Sequence, residues 1–412
     1  MLNVEPWRRT VYAVAIAQFI ALGGGNLVFP FIPFYVEDLG VTGAGAIAIW
    51  SGLLTTATGA MLFVFSPIWG SLADRFGRKP LLLRAYIGAM VTMTLQGLAQ
   101  NVWQLLALRA LQGAFVGTIP AATALIATNT PKARMAQALG ILQMALFSSQ
   151  FVGPLVGGAL AASIGIRPTF IGASAFYLIS FLLVLVMVEE RFERPAAAER
   201  GSFVGDLRAL LDRRQLLVLI SFVFLLNVGP AFVRPVIPLL VDSFDSATSP
   251  ETLSGIAFAA MALTSAFAAL SANRVSGRLG ARNALALATL GAGIAYLPVA
   301  VASNVVGLIL LIAIVGLFSG AMLPIANALI DAWTPAGKQA SAFGLAGSAM
   351  ALAFAVAPLS GGLVASAAGI DTSFIVIGAV TIAVGVAVLA LVREAPGAES
   401  PEAAEAGGSP SG

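Results

Sequence analysis

Gly153-Pro154-Leu155-Val156-Gly157-Gly158 returns as Ala357-Pro358-Leu359-Ser360-Gly361-Gly362, an offset of 204 residues fixed by Gly157 and Gly361. The same offset carries Thr130-Pro131 onto Thr334-Pro335, Gly140 onto Gly344, Ile119-Pro120 onto Leu323-Pro324 and Phe170 onto Phe374. At an offset of 205, Pro30 and Pro33 meet Pro235 and Pro238. Chance produces one or two such matches. An offset shared along most of the chain is an internal repeat, and it predicts two related halves.

What each half is made of follows from composition. The 412 residues are 59% hydrophobic and 10% charged, with a mean hydropathy of +0.95. Soluble domains run near half apolar and about a quarter charged, so this chain could not cover a water-facing surface. A spanning helix needs about 20 mostly apolar residues. Segments of that kind occupy 10–36, 46–68, 80–100, 102–127, 136–162, 168–188, 215–241, 252–272, 284–302, 304–329, 339–364 and 372–392. They are too long for barrel strands and lack alternating polarity. Lipid leaves the backbone no other partner, so they are helices. The fold class is therefore an all-α membrane protein, with twelve transmembrane helices in two pseudo-symmetric six-helix bundles. The expected division is 1–188 for the first bundle, a charged cytoplasmic linker at 189–213, 214–394 for the second bundle, and a disordered tail at 395–412. Two parallel repeats around a cavity are a transporter plan, with the substrate site at the repeat interface.

Lys and Arg orient the bundle. With both termini inside, 19 of the 22 basic residues fall in cytoplasmic segments. Arg167 alone lies outside, and Arg109 and Arg234 lie within spans. That asymmetry follows the positive-inside rule. The net charge of +3 therefore belongs to loops at a membrane surface, and nucleic acid is not an expected partner. There is no Cys and no His, which removes disulfides, thiol chemistry and His or Cys metal ligands. No metal or cofactor is expected. The first apolar stretch runs past 20 residues without a small-residue cleavage site, so it reads as the first span and not as a cleaved signal.

Between the second and third spans lies Gly70-Ser71-Leu72-Ala73-Asp74-Arg75-Phe76-Gly77-Arg78-Lys79-Pro80. Gly77 permits a tight turn. Arg75, Arg78 and Lys79 anchor the loop at the inner face, and Asp74 is suited to the amides of a helix N-terminus. This stretch resembles the cytoplasmic loop motif of the major facilitator superfamily, G-x-L-a-D-r-x-G-R-[KR]. The resemblance implies a gating role in which the Asp74 carboxylate locks the two halves on the inner side. A decayed copy, Gly277-Arg278-Leu279-Gly280-Ala281-Arg282, follows the eighth span without the acidic residue.

Leu108-Arg109-Ala110-Leu111-Gln112-Gly113 resembles the R-x-x-q-G motif of the fourth span. An arginine inside an apolar span is costly and reads as functional by default. The resemblance associates Arg109 with proton coupling, and Glu37 and Asp38 at the end of the first span are further proton-site candidates. Snorkelling, or bonding to carbonyls, is the structural alternative. In the fifth span, Gly153, Pro154, Gly157 and Gly158 resemble the g-x-x-x-G-P-x-x-G-G pattern of the drug:proton antiporter branch, with Ser149 in place of its first Gly. That resemblance implies export. The small residues also favour close helix packing in any case. Asn26, Phe29, Gln112, Gln143, Asn227 and Arg234 are polar or aromatic groups within spans and are candidates to line the substrate cavity. Arg234 either pairs with an acid such as Asp38 or Asp242, or snorkels.

No acidic residue lies deep in a span. This departs from exporters of cationic drugs and favours neutral, zwitterionic or anionic substrates. Thr128 also stands where the family commonly has an acid. The reading is thus a secondary active transporter in a cytoplasmic membrane. It exports small amphipathic molecules or drugs in exchange for protons, and works as a monomer in the bilayer. Its rival is a proton-coupled uptake symporter for a sugar, organic acid or amino acid. An intramembrane enzyme lacks its usual parts without His, Cys or a buried carboxylate pair. A sensor would need a folded signalling domain, for which linker and tail are too short.

Overall fold

Proline and glycine punctuate the apolar helices at equivalent places in both halves. A computed structural model describes residues 5–190, 213–335 and 338–394. The expected linker, over 191–212, and the tail, 395–412, lie outside the described residues. The first half comprises α1 (Pro6–Leu27), α2 (Ile32–Asp38), α3 (Ala44–Phe76), α4 (Arg78–Gly97), α5 (Val102–Phe115), α6 (Thr118–Asn129), α7 (Met135–Ile164) and α8 (Ile166–Met187). The second comprises α9 (Arg214–Val233), α10 (Ile237–Asp242), α11 (Pro250–Leu279), α12 (Ala281–Tyr296), α13 (Val305–Trp333), α14 (Gln339–Ala368) and α15 (Ile370–Leu391). Helix α2 continues α1 after a 3-10 turn at Phe29–Phe31, α6 continues α5, and α10 continues α9, giving twelve crossings among the described residues.

Eleven crossings are long and apolar enough to span a bilayer. The twelfth, α4, carries Arg78, Lys79, Arg84, Thr92, Thr94 and Gln96, which dilute its apolarity. It crosses because α8, α5 and α6 enclose it. Single glycines at positive φ turn the chain between crossings in matched pairs: Gly77 with Gly280, and Gly165 with Gly369. A side chain there would meet its own carbonyl. Asn101 and Asn304 begin equivalent crossings by accepting hydrogen bonds from the amides of Gln104 and Gly307, at 2.9 and 2.8 Å.

Packing repeats with the sequence. Helix α1 lies on α7 as α9 lies on α14; α4 on α8 as α12 on α15; α3 on α5 as α11 on α13. Between the halves, α3 meets α14 and α7 meets α11. One end of the bundle holds the first residues of α1, α4, α7, α9 and α12, and with them Arg8, Arg9, Arg78, Lys79, Arg213, Arg214 and Arg282. We call this the basic face, and its opposite the distal face.

Candidate functional site

Glycines show where the halves touch. In the distal part of α3 and α14, a Cβ on Gly45 would meet the Ser366 hydroxyl at 2.7 Å, and one on Gly59 the Phe354 carbonyl oxygen at 2.6 Å. Gly52 abuts the Pro358 carbonyl, and Gly362 the Ala48 carbonyl. The Leu359 amide donates across this seam to the Thr56 hydroxyl at 3.2 Å. Between α7 and α11, a Cβ on Gly158 would stand 2.5 Å from the Glu251 carbonyl oxygen, Gly255 abuts the Pro154 carbonyl, and Thr252 donates to the Gly158 carbonyl at 3.4 Å. Toward the basic face of the same four helices, Gly70, Gly140, Gly277, Gly344 and Gly347 meet nothing within 4 Å. The glycine contacts between the halves therefore lie toward the distal face, and the glycines of these helices nearer the basic face have open space before them.

The four motif residues of α7 divide their work. Gly153 and Gly157 admit α1, through Asn26 and the Leu27 carbonyl. Pro154 and Gly158 face the other half. Gly361 and Gly362 repeat this division against the Phe232 and Ala48 carbonyls. Each pair joins one helix of its own half to one of the opposite half.

Arg234 sits at the break between α9 and α10, where Pro235 cannot donate an amide. Its guanidinium carbon lies 4.8 Å from the Phe29 ring centre and 5.4 Å from that of Phe354. Among the described residues no carboxylate is within ion-pair distance of it. The acidic partner offered by the sequence is not found among the described residues, and two aromatic faces lie against the cation instead. Asn26 and Asn227 are half-buried, and the Asn227 amide donates to the Val223 carbonyl one turn back at 2.8 Å. Gln143 is exposed on α7.

Arg109 has a different setting. It is 3% exposed, inside the first half, with its guanidinium 5.9 Å from the Phe170 ring centre and in electrostatic reach of the Tyr177 hydroxyl. Its Nε and Nη2 have no hydrogen-bond partner. Gln112 is buried beside it and accepts from the Gln96 amide at 3.2 Å, while the Tyr35 hydroxyl donates to the Gln96 carbonyl at 2.7 Å. This polar nest holds a cation, two amides and phenols, and no acid.

The crossing that carries Arg109 is broken. Gly117 takes φ +147°, and Pro120 denies Val116 its helical partner, so α5 ends at Phe115. The freed carbonyls are taken by other helices. Trp69 donates its indole N–H to Ala114 at 2.6 Å, and Arg84 donates to Phe115 at 3.0 Å while its guanidinium lies 3.3 Å over the Trp69 ring. The equivalent α13 stays continuous through Pro324, since Ala321 stands where Gly117 does.

At the basic face, Gly70, Asp74 and Arg75 lie in the last turns of α3, and Gly77 turns the chain into α4. The Asp74 side chain lies outside what the structure describes. The carboxylate on the first amides of α4 is Glu190, which accepts from the Arg78 and Lys79 amides at 2.8 Å each. Lys79 reciprocates by donating to the Leu185 carbonyl at 3.0 Å and the Val188 carbonyl at 2.5 Å, near the end of α8. The second half repeats the staple: Glu394 accepts from the Ala281 amide at 2.6 Å and the Arg282 amide at 3.2 Å. Anions are favoured at helix N-termini. Glu190 and Glu394 are the residues that sequence reading missed, although they share the offset of 204. Glu37 and Asp38 are exposed at the distal end of α2, where Asp38 is in electrostatic reach of Arg167 and Glu251.

The chain is similar to known proteins in sequence and in fold. A family model described as Major Facilitator Superfamily matches residues 14–247 and 224–411. The Multidrug resistance protein MdtG of Enterobacter lignolyticus (strain SCF1) is 35% identical over 325 residues, covering 79% of this chain and 78% of that protein. The protein of the same name in Proteus mirabilis (strain HI4320) is 34% identical over 335 residues, covering 80% and 83%. Among solved structures, the nucleoside transporter NupG superposes with a TM-score of 0.76 at 14% identity, covering 94% of this chain and 99% of that one.

Proposed function

Since the chain belongs to the major facilitator superfamily, we propose that it exports small amphipathic molecules, drugs among them, by alternating access in exchange for protons. The observation that carries this reading is its likeness to bacterial multidrug resistance proteins along most of both chains. The distal contacts supply the matching mechanics. A protein whose halves touch toward one face is one end state of a rocking cycle, and the glycine seams between α3 and α14 and between α7 and α11 are the surfaces that must separate to reach the other.

On this reading the basic face is cytoplasmic, both termini lie there, and the membrane is the cytoplasmic membrane. The bundles are 1–188 and 214–394, with 189–213 linking them and 395–412 as a tail. A monomer suffices, because the pathway runs between halves of one chain. Asp74 and its loop gate the inner side. Arg109 couples transport to protons by holding a fixed positive charge in a water-poor nest, where the field on a nearby proton site is strong.

The experiment is uptake into inside-out vesicles under an imposed pH gradient, over a panel of fluorescent and radiolabelled compounds. Gradient-dependent uptake that an uncoupler abolishes supports export. Gradient-driven accumulation of a sugar, organic acid or amino acid in right-side-out vesicles, with no drug moved outward, refutes it in favour of uptake.

A further inference from the structure

We infer that Arg234, held between Phe29 and Phe354, binds the anionic group of the transported molecule, so that the substrates are organic anions with an apolar or aromatic body. This rests on the transport reading above and adds the chemical class of the cargo.

Position comes first. The offset of 205 that carries Pro30 and Pro33 onto Pro235 and Pro238 also carries Phe29 onto Arg234. These two residues are repeat mates, and they are in contact. Mates related by a two-fold can touch only near the axis that relates them, so Arg234 stands where the halves face each other. Depth follows from α14. Phe354 takes part in the Gly59 approach, and the Arg234 guanidinium lies against its ring. The cation thus lies beside the Gly59 approach, at the basic-face limit of the glycine contacts that join α3 to α14.

Charge comes next. Arg109 is sealed inside one half, whereas Arg234 is only half-buried at the junction of both. No hydrogen bond and no ion pair satisfies its guanidinium among the described residues. Cation–π contacts offset part of its desolvation but occupy none of its five N–H donors along a lone pair. A fork of free donors at the junction of two halves is the geometry that recognises a carboxylate, phosphonate or sulfonate. An organic cation entering the same junction would meet an uncompensated like charge and, within the spans, no deep acid to offset it. Phe29 from one half and Phe354 from the other flank the fork, so a ligand bonded to Arg234 touches both halves through its apolar body.

The test uses three compounds built on one ring system: naphthylacetate, naphthylacetamide and naphthylethylamine. Binding to the purified full chain is measured by calorimetry, and transport in inside-out vesicles under a pH gradient. In the unmodified protein the acetate should bind at least about ten-fold tighter than the neutral amide, as expected for hydrogen bonds to a charged group, and the amine weakest. Arg234→Gln should erase the preference for the acetate and leave the amide unchanged, while Arg234→Lys retains part of it. Equal binding of acetate and amide by the unmodified protein, absence of binding included, overturns the proposal whether or not the variants fold. So does an acetate preference that survives Arg234→Gln. Gradient-driven outward movement of the amine, untouched by Arg234→Gln, would sink the anion site and leave export standing. Movement only in the uptake direction would sink export, with the binding data still deciding the site.

Discussion

Gly158→Ala should open the distal face. The added methyl would stand 2.5 Å from the Glu251 carbonyl oxygen, 3.1 Å from Thr252 Cα and 3.2 Å from the Glu251 carbonyl carbon, all backbone of the opposite half. Ordinary contact begins near 3.4 Å, so α7 and α11 must part by 3.4 − 2.5 = 0.9 Å at this point. A backbone carbonyl fixed in a helix cannot rotate away as a side chain would. Overpacking of this kind costs about 1–3 kcal/mol. The cost falls only on the state in which the two helices touch, so the ratio of distal-closed to distal-open protein should fall by roughly 5- to 150-fold. The chain contains no cysteine, so spin labels on Thr42→Cys and Ala247→Cys, exposed in the distal loops of opposite halves, report distance with no background. Gly158→Ala should shift the distribution toward longer separations. Gly172→Ala, where nothing lies within 4 Å, should leave it alone. An unshifted distribution in Gly158→Ala, with transport at the unmodified rate, would refute the reasoning that backbone contact forms the seal.

Three further outcomes are expected. Glu190→Gln and Glu394→Gln should each weaken a staple of two charge-assisted hydrogen bonds and lower stability by about 1–2 kcal/mol, read as earlier thermal unfolding; if Glu190→Gln melts no earlier than the exposed Glu189→Gln, the staple carries no weight. Gly117→Ala places a methyl at φ +147° and should cost on the order of 1–3 kcal/mol, whereas Gly140→Ala, with open space before it, should melt normally; equal melting would mean α5 and α6 can join into one helix. Arg109→Met should melt at or above the unmodified temperature, because a buried cation without an acidic partner is removed, and should lose dependence of transport on the pH gradient. Retained dependence would take Arg109 out of the coupling role.

How far the sequence reaches can be judged residue by residue. The twelve crossings, their halves and the α7 motif were legible because apolar length and close helix packing are local demands, written as runs of Leu, Val and Ala and as Gly-Pro-x-x-Gly-Gly. Even α4, whose polar content blurs it, is legible as the apolar run at 80–100. The staples were not. Glu190 and Glu394 stand beside other charged residues at the ends of crossings, and only the fold brings them onto amides some 110 residues away. Arg234 stands out in the sequence as an arginine in an apolar span, which leaves open an acidic partner or snorkelling and names no aromatic ring. Its ring partners come from crossings 1 and 11, and no periodicity in either names the arginine.

The contact of Phe29 with Arg234 bears on how a duplicated chain acquires a direction. Were the two halves identical, one residue type would face itself across the dyad, and two arginines there would repel each other in a medium of low dielectric. Two phenylalanines would leave the centre without charge. Only unlike halves can place a single cation on the axis, so the internal duplication and the ability to hold one charged group exclude each other until one copy changes. Exchanging the pair, with arginine at 29 and phenylalanine at 234, should then preserve the charge at the centre and reverse which half carries it.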